Sequence, residues 1–163
     1  MGIKSGKAIR FSEEKVRSMG RGASGVKGIT LANDKDEVIG MICVKGDGET
    51  ILVVAAKGVG KRSHIDDYRI TNRGGKGVKT INITPKTGNL IALKNVADEN
   101  DLMIINKSGV MIRLAVANLR VMGRATQGVK LINLKDNDSI AAVTKVEIEE
   151  DESMHDEMEE GTN

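Results

Sequence analysis

Aromatic side chains are almost missing from this 163-residue chain: Phe11 and Tyr68 stand alone, and there is no tryptophan. Proteins that hold single strands or RNA loops stack bases on aromatic platforms, and this chain has almost none to offer. A nucleic-acid partner would have to be met through duplex phosphates. Cysteine is as scarce. Cys43 is the only one, inside the apolar run Val38–Val44, and a small buried thiol in a reducing compartment is expected there. The single proline, Pro85, sits in Thr-Pro-Lys-Thr-Gly-Asn and marks a turn. No apolar run reaches membrane-spanning length, and the first residues lack the apolar core of a signal peptide. A cytoplasmic protein with no membrane partner is expected.

Positive charge is absent from one end. All 25 Lys and Arg lie at or before Lys145, whereas nine of the 23 acids lie after it. Residues 1–146 combine those 25 cations with the remaining fourteen acids, for a net charge of +11, and the tail carries −9. A basic body with an acidic, aromatic-free tail reads as a polyanion binder with a disordered appendage over residues 147–163.

What the chain does have is a repeat built on cations. Gly6 to Arg10, Gly58 to Arg62 and Gly109 to Arg113 align, with starts 52 and 51 residues apart. Seven residues beyond each arginine is another: Arg17, Arg69, Arg120. Four further on comes a third, Arg21, Arg73 or Arg124, and then Gly-Val-Lys-x-Ile at Gly25, Gly77 and Gly128. A period near 50 belongs to propellers and solenoids, in which each repeat is one supersecondary unit stacked on the next. Stacking would set cations at equivalent points of one surface, which suits a polyanion. The DNA-contact candidates are Arg10, Arg17, Arg21 and Lys27 in the first copy. In the second they are Arg62, Arg69, Arg73, Lys76 and Lys79, and in the third Arg113, Arg120, Arg124 and Lys130. Arginine suits the task because its planar fork can take two phosphate oxygens at once.

Between the cations run short β-type segments. Val38–Val44 is followed by Lys-Gly-Asp-Gly-Glu, a hairpin signal, and then by Ile51–Ala56; Leu90–Val96 and Leu102–Ile105 repeat the arrangement. Continuous apolar runs of this length fit strands buried on both faces. Each Gly-Val-Lys starts a further strand, and each Gly-x3-Arg turns into one. That predicts about four antiparallel strands per repeat, the content of a propeller blade. Ser12–Met19 is expected to be a loop with one helical turn. The domain spans residues 1–146, with repeats at about 4–56, 57–106 and 107–146, and reads as an all-β partial propeller, a piece of a larger ring.

Catalytic and metal chemistry find no footing. Tyr68 aligns with the apolar Val16 and Leu119, which marks a packing position rather than a nucleophile. Gly58 to Ser63 lacks the spacer and Lys-Ser/Thr pair of a phosphate loop. His64 and His155 have no Cys or second His at ligand spacing, and Asp98–Asp101 and Asp136–Asp138 lack the glycine and final glutamate of a calcium loop.

The segments Gly6-Lys-Ala-Ile-Arg-Phe, Val16-Arg-Ser-Met-Gly-Arg, Gly25-Val-Lys-Gly-Ile, Gly60-Lys-Arg, Gly77-Val-Lys and Gly123-Arg-Ala-Thr-Gln-Gly-Val resemble the C-terminal domain of bacterial DNA gyrase A. The resemblance runs over residues 4–146. It implies a β-pinwheel of six blades that exchange strands, whose basic rim binds and wraps duplex DNA in support of negative supercoiling by an ATP-dependent type II topoisomerase. It implies further partners, the remainder of gyrase A and the companion protein gyrase B. It also implies that ATP and Mg2+ belong to other parts of the holoenzyme, with no cofactor here. Arg73-Gly74-Gly75-Lys76-Gly77 matches the last five positions of the gyrase box, but Thr71 and Asn72 replace its first two residues. That family places its box in the first blade, and here a repeat precedes it. The alternatives are the corresponding domain of topoisomerase IV and a protein-interaction propeller. Unpaired blade edges make a homodimer a further expectation.

Overall fold

Thr50–Ala55 is buried along its whole length, and its alternating side chains feed two separate cores. Leu52 and Val54 point into one with Val96, Leu102, Ile104 and Val116. Ile51, Val53 and Ala55 point into the other with Ile65, Tyr68, Ile81 and Leu90. Only a strand with sheets packed on both faces uses its period-2 alternation this way, which is why Ile51–Ala55 is apolar at every position.

The computed structural model describes residues 1–46, 49–135 and 137–147; the tail beyond Glu147 lies outside the described residues. In chain order the strands are β1 (Gly2–Ile3), β2 (Lys7–Ala8), β3 (Val38–Gly40), β4 (Thr50–Ala55), β5 (Val59–His64), β6 (Val78–Lys79), β7 (Leu90–Val96), β8 (Asn100–Asn106), β9 (Met111–Ala115), β10 (Val129–Lys130) and β11 (Ile140–Glu147). They form three antiparallel sheets of order β3-β1-β2-β6, β7-β4-β5-β10 and β11-β8-β9. In the first two sheets the last strand comes from the following repeat. The Gly-Val-Lys strand of the second repeat, β6, pairs with β2 of the first, and β10 of the third pairs with β5 of the second. The all-β blade architecture expected from the repeat is present, and so is the strand exchange that the resemblance implies.

The tight turns fall where Gly-x3-Arg begins. Gly58 has φ 86°, a left-handed conformation in which a side chain is strained, and it closes the β4–β5 hairpin. One-turn 3-10 helices follow at Glu13–Lys15, Ile65–Asp67 and Val116–Asn118, the first capped by the Ser12 hydroxyl accepting from the Glu14 N–H. This fits the single helical turn read in Ser12–Met19. Tyr68 is buried, with its hydroxyl on Thr80 Oγ1, as a packing residue should be.

Two local expectations fail for identifiable reasons. The segments flanking Lys45–Glu49 are not two arms of a hairpin: β3 pairs with β1, whereas β4 pairs with β5 and β7. The turn residues mark a passage from one blade to the next. The strand expected over Val38–Val44 stops at Gly40, and Cys43 is exposed rather than buried. Its partner β1 has only two residues, so the ladder has nothing left to pair with beyond Gly40. The counterparts β7 and β11 run seven and eight residues because β4 and β8 are long enough to support them.

Candidate nucleic-acid interface

The four repeated cations divide into two classes with different surroundings. The first arginine turns inward in the first two repeats. Arg62 is 6% exposed, and its guanidinium donates from Nε to Thr50 Oγ1 at 2.6 Å and from Nη1 to the carbonyls of Val116 and Leu119 at 3.2 and 3.4 Å. It also lies 2.6 Å from Asp98. Arg10 does the same one repeat earlier, donating to the carbonyls of Ile65 and Tyr68 at 3.0 and 3.3 Å. Both hold the 3-10 turn of the following repeat, whose last carbonyls need donors. Arg113, more than half exposed, meets Asp101 at 2.5 Å instead.

The third arginine reaches backward. Arg73 donates to the carbonyls of Lys15 and Lys27 in the first repeat, at 2.9 and 3.2 Å. Arg124 repeats the pattern on Asp67, at 2.9 Å, and on Lys79. Its backbone N–H also bonds the Asp67 carboxylate at 3.0 Å. Arg21, the first-repeat counterpart, is exposed.

The second arginine and the Gly-Val-Lys lysine face solvent in every copy: Arg17, Arg69 and Arg120, with Lys27, Lys79 and Lys130. The third arginine gathers them. Because Arg73 bonds the backbone at Lys15 and Lys27, the seam between the first two repeats collects Arg17, Lys27, Arg73 and the exposed Lys76. The next seam collects Arg69, Lys79 and Arg124. A shallow cavity of about 220 Å3 opens beside the first cluster, with Arg69, Thr71, Asn72 and Lys76 in its wall. Convergent cations on a curved β surface can hold successive phosphates without reading bases.

One buried cation is not among the candidates drawn from the repeat. Lys61 is 1% exposed, and its ammonium donates to the carbonyls of Gly123, at 3.4 Å, Arg124 and Thr126, at 2.6 Å. Burial, and then the neighbouring Arg124, bring its pKa down to about 8, against a small opposing pull from Asp67. Aligned positions hold Ile9 and Ile112, so a lysine in an apolar register was the available clue. Among the described residues no cluster of His, Cys, Asp or Glu is arranged to hold a metal, and no helix is long and apolar enough to cross a membrane.

Fold and charge together define a strand-exchanging β-propeller segment with basic seams. The profile of the DNA gyrase C-terminal domain, β-propeller, matches residues 4–45, 49–97 and 100–147. The chain belongs to that family. It is 45% identical over 167 residues to the DNA gyrase A protein of Staphylococcus aureus strain MRSA252, and 46% identical over 164 residues to that of strain NCTC 8325. Each alignment takes in 99% of this chain but under a fifth of the relative, 19% and 18%. A solved DNA gyrase A C-terminal domain superposes with a TM-score of 0.77 at 26% identity, over 88% of this chain and 48% of that one. The C-terminal domain of a DNA topoisomerase IV superposes with a TM-score of 0.82 at 21% identity, over 89% of this chain and 45% of that one.

Proposed function

We propose that this chain binds and bends duplex DNA through sequence-independent phosphate contacts, as the wrapping element of a type II topoisomerase that introduces negative supercoils. The remainder of gyrase A and gyrase B are its working partners, and ATP and Mg2+ act elsewhere in that assembly. The carrying observation is that the same two cations of each repeat, Arg17/Arg69/Arg120 and Lys27/Lys79/Lys130, stay exposed, while Arg10, Arg62, Arg73 and Arg124 are drawn into the seams. Membership of the gyrase C-terminal family supports the choice of DNA over other polyanions. Curvature supports bending, since a basic surface that turns through successive blades meets more phosphates of a bent duplex than of a straight one.

If those six side chains each neutralise one phosphate, log affinity falls against log salt with a slope of about −5. Titration on several duplexes at several salt concentrations tests this, with little dependence on sequence apart from a preference for flexible DNA. Changing Arg17, Arg69 and Arg120 together to Gln lowers the slope by about 3. Salt-insensitive binding, or no binding at low salt, overturns the reading.

A further inference from the structure

We propose that Lys61 is a positioning residue of the nucleic-acid interface: its ammonium holds the turn over residues 123–126 in the shape that keeps Arg124 beside Arg69 and Lys79. That role rests on the DNA reading, and Lys61 fills it from below, since at 1% exposure it touches no phosphate itself. It follows Gly60, where the pairing of β5 with β10 ends, and its side chain crosses to the turn that leads into β10. Three carbonyls of that turn, those of Gly123, Arg124 and Thr126, converge on the one ammonium, which has three N–H groups to give. The turn is thus gathered around a point, beyond its own closing bond from the Thr126 N–H to the Gly123 carbonyl at 3.0 Å.

A second tie lies beside the first, where the Arg62 carbonyl accepts from the Met122 N–H at 2.8 Å. From the turn so held, Arg124 spans to the preceding repeat. Its N–H meets the Asp67 carboxylate at 3.0 Å, and its guanidinium meets the carbonyls of Asp67 and Lys79. Exposed Arg120 stands just before the turn and exposed Lys130 shortly after it, so the same hold sets where both emerge.

The neighbouring seam shows that such a turn can be held without a buried charge. There Ile9 takes the position of Lys61, 3.5 Å from where a Cβ on Gly75 would stand. The carbonyls of Gly74 and Gly75 accept instead from Thr30, from its hydroxyl at 2.6 Å and its N–H at 2.8 Å. Ile112 takes the same position in the third repeat, so an ammonium in this register is confined to the second. Burial, and then Arg124, disfavour that charge and bring its pKa down to about 8. A buried ion of this kind adds little to stability, because lost hydration offsets its hydrogen bonds; what it supplies is a geometry. An apolar side chain would fill the space and leave the three carbonyls without this donor.

Lys61→Met and Lys61→Ile test the role, the second because the other two repeats already accept isoleucine there. Both variants fold and resist urea at pH 7 as well as the native chain or better. Their Arg124 and Thr126 amides lose hydrogen-exchange protection by about tenfold, while the amides of β4 keep theirs. Duplex affinity falls about five- to tenfold, and the slope of log affinity against log salt becomes shallower by about 1. Because Lys61 itself meets no phosphate, the change of slope reports on the cations it places. Native affinity and slope in a folded variant overturn the proposal. So does failure of both variants to fold, which would make the ammonium a stabilising group. A native chain that binds no duplex overturns the DNA reading and this role with it, so the two failures are told apart.

Discussion

Arg73 Nε donates to the carbonyl oxygen of Lys15 at 2.9 Å, across the seam between the first two repeats. The bond joins two basic residues, and its geometry explains why like charges are tolerated there. The guanidinium meets a backbone carbonyl at the end of a 3-10 turn, a site of partial negative charge, while the lysine side chain points away to solvent. Arg124 repeats this on Asp67. A single residue type therefore fixes the angle between blades and draws the exposed cations into clusters.

The division between seam and surface arginines predicts opposite phenotypes. Arg62→Ala removes a buried guanidinium and strands the Thr50 hydroxyl and two carbonyls, at a cost of about 3 kcal/mol or more. Arg69→Ala changes stability by no more than about 0.5 kcal/mol, as exposed substitutions do, and weakens DNA binding. Urea unfolding combined with DNA titration checks both. Equal destabilisation by the two variants would contradict the division.

Burial of β4 gives a further test of the double core. Leu52→Ala opens a cavity against Val96, Leu102 and Val116, and about 3 kcal/mol of stability is lost. Val53→Ala acts on the opposite core and costs about 2 kcal/mol. The two faces share a strand but no contacts within a core, so the double variant's loss approaches the sum. A urea series on the three variants measures it; strong non-additivity would mean the cores are not separate.

What the sequence made legible and what it hid have a common cause. Apolar runs such as Ile51–Ala55 declare strands because burial on both faces demands an apolar residue at every position. Pairing is not declared, since β4 bonds to β7 some forty residues on, and the turn residues between β3 and β4 look the same whether the chain doubles back or crosses to another blade. Cys43 departs from expectation for that reason: a strand's length depends on its partner, and β1 is short. Arginines at a fixed spacing were plain, but Arg62 and Arg69 are chemically identical. Only the arrival of a neighbouring 3-10 turn makes one structural and leaves the other free.

Lys61 makes stability depend on pH in an unusual direction. Its ammonium is held at about 8 in the folded chain, led by burial, against 10.5 as the ordinary value. Between these values the unfolded chain carries a proton that the folded chain has given up, so stability rises with pH over that window. The gain is on the order of 2 kcal/mol. Tyr68 sets the upper end: burial raises its pKa above 10.0, partly countered by the bond to Thr80, so stability declines as pH rises past that value. Unfolding midpoints measured from pH 7 to 11 show a maximum near 10. Lys61→Met flattens the rising limb, and an unchanged limb in that variant would assign it to other groups.

We predict that the acidic tail competes with DNA for the basic seams. Residues 148–163 contain eight carboxylates and no lysine or arginine, tethered to a body of +10. Tethering raises their effective concentration at that body into the millimolar range. A carboxylate of the tail at a seam would occupy cations that a phosphate otherwise neutralises, so the expected result is a lower apparent DNA affinity in its presence. The effect is electrostatic and is largest where the Debye length is long, about 30 Å at 0.01 M salt against about 8 Å at physiological strength. Removing residues 148–163 while keeping β11 therefore tightens duplex binding several-fold at low salt and little at high salt. It also steepens the salt dependence, because DNA no longer displaces an internal polyanion. Parallel titrations of the two chains at both salt concentrations measure this, and identical affinities at low salt would leave the tail without a competitive role.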